Sequence, residues 1–380
     1  MPEHDITEPV PFTEAFARED PDAIHSRAAA LLLLGAQMEE EPVAFSVRAG
    51  VRGTVGPGDM APPEDVEPLR VPVMEPTGER MTRERVRGYL SEQMALAPEE
   101  IAEPGPERLA ELAARVQERP TVPMAAAMFE ASLQDSHELV RVAAAIAYLE
   151  AAADPLELVP FLVEGTRSDD PTVRDLAATG LARFAPEHPR LAEMREPAGG
   201  EAAGEPSHTA LLVHGTFARD GRWWRPGGDF HDYLLQNVRP DLYSDSDRFD
   251  WSGGYSDGAR ALGALDLAAW VRRKDLEGLD LFTHSHGGSC AMLASQQGLD
   301  LGQLVLLSCP VHARKYFPDF GRVREVVSIR VRLDLVILAD RGGQRFRDPR
   351  IRENVLPIWF RHSDPHEPDV WRRHDVPALL

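Results

Sequence analysis

The sequence predicts a multidomain protein, with a mostly α-helical N-terminal half and a C-terminal α/β half built on a doubly wound, mostly parallel sheet. Three observations predict this division. A helical pattern repeats within 81–195, a run rich in glycine, alanine and proline follows at 196–208, and apolar strands then alternate with helical stretches over 209–380. Such alternation is typical of a parallel sheet covered by helices. We expect 1–80 to be an irregular N-terminal region.

The first part of the chain contains few regular elements. Ala28–Met38 predicts a short helix, and Pro42–Val51 alternates like a strand. Val55–Pro76 is rich in proline and predicts a loop or linker. Thr82–Leu96 then has the pattern of an amphipathic helix, with Thr82 as its N-cap.

The helical half contains a repeated segment. The stretches that begin at His137 and Asp170 both show Val-Arg, then small apolar residues, then a leucine near the helix end, and their Val-Arg pairs lie 33 residues apart. Leu156–Glu164 can form a partner helix between them. This period is typical of stacked helical pairs, and the two segments resemble HEAT repeats. The resemblance implies a surface for a protein partner. A plain helical bundle remains the alternative.

Charge and composition exclude several classes of function. Residues 1–205 contain 39 acidic and 18 basic residues, whereas 206–380 contain 23 of each. The acidic half argues against binding to nucleic acid or to anionic membrane. Cys290 and Cys309 support neither a disulfide framework nor a cysteine zinc site. The best apolar run, Ala28–Ala36, is too short to span a bilayer. We expect a cytoplasmic protein with no transmembrane segment and no cofactor.

The C-terminal half predicts six strands and at least two helices. Asp257–Arg273 and Gly288–Gln297 have helical patterns. The predicted strands are Thr209–Val213, Arg248–Trp251, Leu279–Thr283, Gln303–Leu307, Val326–Arg332 and Val355–Phe360.

The sequence THSHG at 283–287 is the strongest indication of catalytic chemistry. It lies between the predicted strand Leu279–Thr283 and the predicted helix Gly288–Gln297, which is rich in small residues. This arrangement resembles the nucleophile elbow of the α/β-hydrolases, whose consensus is G-x-S-x-G. The resemblance covers 209–380 and implies a lipase- or esterase-like serine hydrolase with Ser285 as its nucleophile. Thr283 departs from the consensus glycine, whereas Gly287 agrees with it.

An earlier segment resembles the oxyanion loop of the same family. ALLVHGTFARDG at 210–221 is a predicted strand that ends in His-Gly, about 70 residues before the serine. The resemblance implies that the backbone N–H of His286 forms one donor of an oxyanion hole, and that of Thr216, with Phe217 next, forms the other. His214 is expected to orient the loop.

The other two members of a triad have candidates in the order that the family resemblance implies, serine, aspartate, histidine. Asp334 follows the predicted strand Val326–Arg332 and begins the sequence Asp-Leu-Val, which makes it the favoured acid. Asp340 is the alternative candidate. His362 and His366 both follow the last predicted strand, and we favour His362 because it comes directly after that strand. The chosen base should take the serine proton and donate its Nδ1–H to Asp334.

Trp223 and Trp224 follow the predicted oxyanion loop. They could line an apolar site for a small-molecule or lipid-like ester, or they could cover the core at the domain edge. Three other functions remain open. An acyltransferase would use the same triad, and a non-catalytic protein could bind partners through its helical repeats. A metallohydrolase is disfavoured because no histidine–carboxylate cluster has recognisable ligand spacing.

Overall fold

The fold is mixed α/β, and it was obtained as a computed structural model. The structure describes residues 6, 8–38, 69, 71–74, 81–94, 106–151, 155–194, 210–245, 247–276 and 278–380. Its helices are α1 (Phe12–Ala15), α2 (Pro21–Ala36), α3 (Arg83–Met94), α4 (Pro106–Glu118), α5 (Val122–Ser132), α6 (Glu138–Ala151), α7 (Val159–Gly165), α8 (Pro171–Phe184), α9 (Pro189–Glu193), α10 (Asp229–Asn237), α11 (Asp257–Arg273), α12 (His286–Gln296), α13 (Leu335–Asp340) and α14 (Pro368–Arg373). Its strands are β1 (Ala210–Val213), β2 (Leu279–His284), β3 (Leu301–Leu307), β4 (Val323–Arg330) and β5 (Ile351–Val355).

The N-terminal half is helical from near its start. Helix α2 begins earlier than the sequence predicted, because Asp20 caps it by accepting a hydrogen bond from the Ala23 N–H at 3.1 Å. Gly35 of α2 lies so close to α6 that an added Cβ would come within 2.6 Å of the Ala147 Cα. The helix predicted at Thr82–Leu96 is present as α3. The predicted strand Pro42–Val51 and the linker 196–208 lie outside the described residues.

The repeated segment forms two equivalent helices with a third between them. The two Val-Arg pairs lie near the N-terminal ends of α6 and α8, and α7 lies between these helices along the chain and packs on both. Arg141 donates a hydrogen bond to the carbonyl of Asp135 at 2.8 Å, and Arg174 donates to that of Ser168 at 2.8 Å. In both copies the arginine therefore ties its helix to the carbonyl six residues earlier.

The described residues of the C-terminal half form a five-stranded, all-parallel sheet, in which β1 to β5 lie side by side in chain order. Neighbouring residues of a strand face opposite sides of the sheet. Leu211 and Leu281 accordingly pack in a cluster with α11 and α12, whereas Leu212 and Phe282 pack with α10 and α14. Because helices cover both faces of the sheet, a ligand site is expected at the edge formed by the carboxyl ends of the strands.

Two predicted strands are wrong. Arg248–Trp251 is irregular, and its buried Phe249 and Trp251 pack against neighbouring elements with no strand beside them. The last strand is Ile351–Val355 rather than Val355–Phe360. The apolar residues after Val355 cover other parts of the molecule, and Phe360 forms only an isolated parallel bridge with Asp334. None of the helices in the described ranges has the length and apolar content needed to cross a membrane.

The two halves share a buried interface. An apolar cluster that begins in the N-terminal helices continues to Leu335 and Phe360 of the C-terminal half. A buried ion cluster lies beside it, where Glu150 accepts hydrogen bonds from Arg183 at 2.8 Å and from Arg341 at 2.5 Å. Buried ion pairs of this kind constrain geometry, since a misplaced partner leaves an uncompensated charge. Helix α8 is therefore held firmly against α13.

Candidate active site

Ser285 lies in a strained turn between β2 and α12. Its backbone has φ 52° and ψ −134°, a region that residues with side chains rarely adopt. Such a conformation costs about 1–3 kcal/mol and is found mostly at functional sites. The turn is held by a hydrogen bond from the Ser285 N–H to the Leu307 carbonyl at 2.9 Å. The side chain is thereby directed into a cavity at the carboxyl edge of the sheet.

Close packing around the turn explains the small residues beside the serine. A Cβ on Gly215 would lie 2.7 Å from the Ser285 Cβ, and one on Gly287 would lie 2.5 Å from the His214 carbonyl oxygen. Both glycines therefore let the loop after β1 pass directly against the elbow. Thr283, which replaces the expected glycine, is accommodated because its hydroxyl donates to the Val305 carbonyl at 2.9 Å.

The predicted oxyanion donors are only partly available. The N–H of His286 is at the first turn of α12, where helical N–H groups have no intrahelical partner. Thr216 lines the same cavity, and its N–H forms no hydrogen bond within the described residues. Phe217 is different, because its N–H donates to the Gly253 carbonyl at 3.0 Å. Phe217 is therefore corrected from a candidate oxyanion donor to a wall of the cavity.

Asp334 and His362 form a buried hydrogen-bonded pair. The Nδ1–H of His362 donates to Asp334 Oδ2 at 2.7 Å, and the two residues are 3% and 1% exposed. The other carboxylate oxygen, Oδ1, accepts from the backbone N–H groups of Val336 at 2.9 Å and Ile337 at 3.1 Å. These bonds fix the carboxylate at the start of α13, and the carboxylate in turn fixes the tautomer of His362.

His362 lines the same cavity as Ser285. No hydrogen bond joins the serine hydroxyl to this imidazole in the described residues, and such bonds often tighten only when substrate binds. Burial alone would lower the pKa of His362, but the Asp334 carboxylate, with smaller contributions from Asp175 and Asp340, raises it above its ordinary value. His362 is thus set up to accept a proton.

Two further histidines surround His362 without sharing its partner. His284 Nε2–H donates to the His362 backbone carbonyl at 3.1 Å, and His366 stacks on Trp223 with ring centroids 4.1 Å apart. Burial lowers the pKa of His284 well below its usual range and that of His366 to about 3. Both remain neutral near pH 7. The structure therefore brings His362, and not His366, to Asp334.

The cavity has a volume of about 440 Å³ and is formed by both halves of the chain. Its walls are the elbow, the loop after β1, the segment after β5 and one face of α8. Pro171, Arg174, Asp175 and Thr179 of α8 line it, with the spacing that places residues on one side of a helix. The helical half thus contributes directly to the site.

The two tryptophans have different positions. Trp223 lines the cavity, as one of the two sequence interpretations proposed. Trp224 is 1% exposed, packs on His214 with ring centroids 4.6 Å apart, and donates its Nε1–H to the Ala218 carbonyl at 2.8 Å. Its predicted role in substrate binding is corrected, because its indole is enclosed in the core.

A second polar cluster adjoins the elbow, and two of its members, His286 and Asp340, also line the cavity. The ligand atoms of His286, His312 and Asp340 lie within 4.8 Å of one another and could in principle hold a metal ion. Hydrogen bonds already account for this cluster, because Asp340 accepts from Tyr255 at 2.6 Å and contacts His312 Nε2 at 2.7 Å. The Arg260 guanidinium lies 2.8 Å from His286 Nε2 and occupies the place of a cation. The donor set therefore fits a hydrogen-bonded network better than a metal centre.

Sequence reasoning left several residues of the cavity unassigned, among them His284, Tyr255 and Asp175. His284 lies within the elbow itself, so its position was available from the motif although its hydrogen bond was not. Tyr255 and Asp175 reach the cavity from separate parts of the chain. Neither belongs to a local motif, and no signal in the sequence marks them.

Comparison with known proteins adds little to this geometry. No family model matches the chain, and no curated protein matches it. Among the solved structures that match is the crystal structure of an uncharacterized protein from Bacillus cereus ATCC 10987. It is 12% identical, the match covers 79% of this chain and 99% of that chain, and the TM-score is 0.28. Function must therefore be inferred from the chemistry of the site.

Proposed function

We propose that the chain is a serine hydrolase of the α/β-hydrolase type that cleaves a carboxylic ester, thioester or amide. The observation that carries this proposal is the buried Asp334–His362 pair beside Ser285 in its strained turn. The finer features of the fold belong to the same proposal, namely a doubly wound sheet of the hydrolase type and HEAT-like repeats in α6 to α8. The equivalent hydrogen bonds of the two repeat arginines support the latter.

The geometry supports a two-step mechanism through an acyl-enzyme. The Ser285 Oγ attacks the substrate carbonyl carbon while His362 Nε2 removes the hydroxyl proton. The positive imidazolium that forms is stabilised by the Asp334 carboxylate on its other nitrogen. The developing oxyanion is bound by the N–H groups of His286 and Thr216, each such donor contributing about 3–4 kcal/mol.

Collapse of this intermediate releases the leaving group, which takes its proton from His362. Water then attacks the acyl-enzyme with His362 again as the base, and the acid product leaves with Ser285 restored. Trp223 supplies an aromatic wall for a small-molecule or lipid-like substrate. We place the reaction in the cytoplasm, in keeping with the two free, buried cysteines.

The test is the hydrolysis of a p-nitrophenyl ester by the full chain and by two serine variants. Ser285→Ala should lower kcat by at least about a thousandfold, as expected when a nucleophile is removed. The matched control is Ser295→Ala, which removes a buried hydroxyl near the C-terminal end of α12. This hydroxyl accepts a hydrogen bond from the Asp319 N–H at 2.9 Å, and Ser295 does not line the cavity. Near-normal activity in Ser285→Ala would end the proposal. Activity lost on chelation and restored by zinc would favour a metal mechanism instead.

A further inference from the structure

Four carboxyl groups and one guanidinium line the cavity. Most of the carboxyl groups have partners in the protein. Asp340 is held by Tyr255 and His312, Asp220 contacts Arg225 at 3.2 Å, and Glu367 also interacts with other groups. Carboxyl groups therefore outnumber cations in the lining, and a carboxyl group without such a partner is the one that can bind a ligand's charge directly.

Asp175 is the available group. Within the described part of the chain it accepts no hydrogen bond and has no cation within ion-pair distance. The neighbouring guanidinium of Arg174 is directed elsewhere, since it donates to the Ser168 carbonyl at 2.8 Å. Burial raises the pKa of Asp175 to about 6, which reflects how poorly the cavity solvates its charge. A half-buried carboxylate without a partner is unfavourable, and a cationic ligand would offset that cost.

The other walls of the cavity also suit a cation. Phe217, Trp223 and Tyr255 all line it. One face of Trp223 is covered by the stacked His366 ring, and the Arg260 guanidinium already lies 4.9 Å from the centroid of the Tyr255 ring. Aromatic faces attract ammonium groups, and the attraction strengthens where water is excluded. A carboxylate combined with aromatic walls is the chemistry that recognises a positively charged nitrogen.

The position of Asp175 indicates which part of the substrate would carry the charge. Asp175 lies close enough to His362 for its carboxylate to raise the pKa of that imidazole. The general base gives its proton to the departing atom, so the leaving group must lie beside His362. A cation on the leaving group would therefore meet Asp175, and it would also reduce the tendency of Asp175 to hold His362 in its protonated form.

We infer that Asp175 of α8 is a specificity residue, and that the enzyme prefers substrates whose leaving group carries a cationic nitrogen. This inference rests on the proposed serine-hydrolase function. In this proposal α8 of the helical half determines substrate specificity, and the C-terminal half contains the catalytic residues.

Two thioesters of the same shape test the inference. Acetylthiocholine carries a quaternary nitrogen, and 3,3-dimethylbutyl thioacetate carries a carbon in its place, so the two differ only in charge. Thiol release gives kcat/KM for each. The wild-type chain should favour the cationic thioester by about tenfold or more, as expected for one desolvated charge pair with aromatic contacts. In Asp175→Asn this ratio should fall to near one. Asp169→Asn is the control, because it removes an exposed carboxylate from the turn before α8, outside the cavity, and should keep the wild-type ratio.

A second measurement does not depend on turnover of these thioesters. A fluorophosphonate labels an activated serine, and choline bound at Asp175 should slow labelling of Ser285 in the wild-type chain but not in Asp175→Asn. Equal reactivity toward both thioesters, or equal choline protection in wild type and variant, would refute the cation site and leave the hydrolase proposal standing. Absence of labelling at Ser285 under every condition would overturn the hydrolase proposal, and the inference with it.

Discussion

Replacing Asp334 with asparagine separates the proposed catalytic role of this carboxylate from its structural role. The Oδ1 atom, which caps α13 through the N–H groups of Val336 and Ile337, has an equivalent carbonyl oxygen in asparagine. The Oδ2 atom, which accepts from His362 Nδ1 at 2.7 Å, is replaced by an N–H donor. Two donors cannot face one another, so His362 must carry its proton on Nε2 and can no longer accept one from Ser285.

The expected effects on rate and stability differ greatly. With the wrong tautomer, kcat should fall by about ten thousandfold, the size of effect expected when a triad aspartate becomes asparagine. Stability should fall far less, because asparagine caps helices as well as aspartate does and only one charge-assisted hydrogen bond, worth about 1.5–3 kcal/mol, is lost. Ester hydrolysis gives the rate, and urea unfolding followed by circular dichroism gives the free energy of unfolding.

Asp340→Asn is the matched comparison. Asp340 is also buried and also contacts histidines, but its partners are His286 and His312 rather than His362. Its substitution should cost stability on the same scale and lower kcat by no more than about tenfold, since no proton transfer passes through it. The reverse result, a severe loss in Asp340→Asn with a mild one in Asp334→Asn, would refute the assignment of the acid.

Three other predictions follow from the geometry. His362→Ala should lower kcat by several orders of magnitude and His366→Ala by far less, because only His362 contacts the acid; comparable kcat values for the two variants would refute this. His362 must be neutral to act as the base and its pKa is raised, so kcat/KM should increase with pH and have a midpoint above 6.5. Asp175→Asn should move this midpoint to lower pH, because it removes a carboxylate that favours the charged imidazole. An unchanged midpoint would contradict the proximity of Asp175 and His362. Glu150→Gln should lower the free energy of unfolding by about 3–5 kcal/mol, because it leaves two arginines in a buried site without their carboxylate. Surface ion pairs contribute up to about 1 kcal/mol, so a loss under 1 kcal/mol in urea unfolding would show that this ion cluster does not hold the halves together.

The elbow and the acid–histidine pair could be predicted because each belongs to a local pattern. A buried strand followed by small residues and a helix constrains the chain to a sharp turn, and the structure has that turn at Ser285. Asp334 follows β4 and His362 follows β5, and parallel strands bring their carboxyl ends to one edge. The structural proximity of Asp334 and His362 therefore follows from the order of elements along the chain.

The two wrong strand predictions arise where the pattern of apolar residues does not indicate whether a segment pairs with a strand. Phe249 and Trp251 alternate with polar residues as in a strand, yet they fill gaps in the core from an irregular segment. The true last strand, Ile351–Val355, is at the sheet edge and mostly polar, so its pattern is weak. The apolar residues after it, such as Trp359, pack on the helical half instead.

The sequence did not show which residues of the helical half reach the cavity. Asp175 reaches the cavity only because α8 packs on α13, and Glu150 meets Arg341 across 191 positions of sequence. Contacts of this kind depend on how two separately patterned halves dock. Neither half alone contains a signal for the other.

The most direct test of the central claim is to label the full chain with a fluorophosphonate and identify the modified residue by peptide mapping. Ser285, which lies in a strained turn beside a buried aspartate–histidine pair, should carry the adduct. Heat-denatured protein should not be labelled, and His362→Ala should react far more slowly, because the reagent needs a serine activated by its base. A folded wild-type chain that is modified at another serine, or at none, would contradict the assignment of Ser285 as the nucleophile.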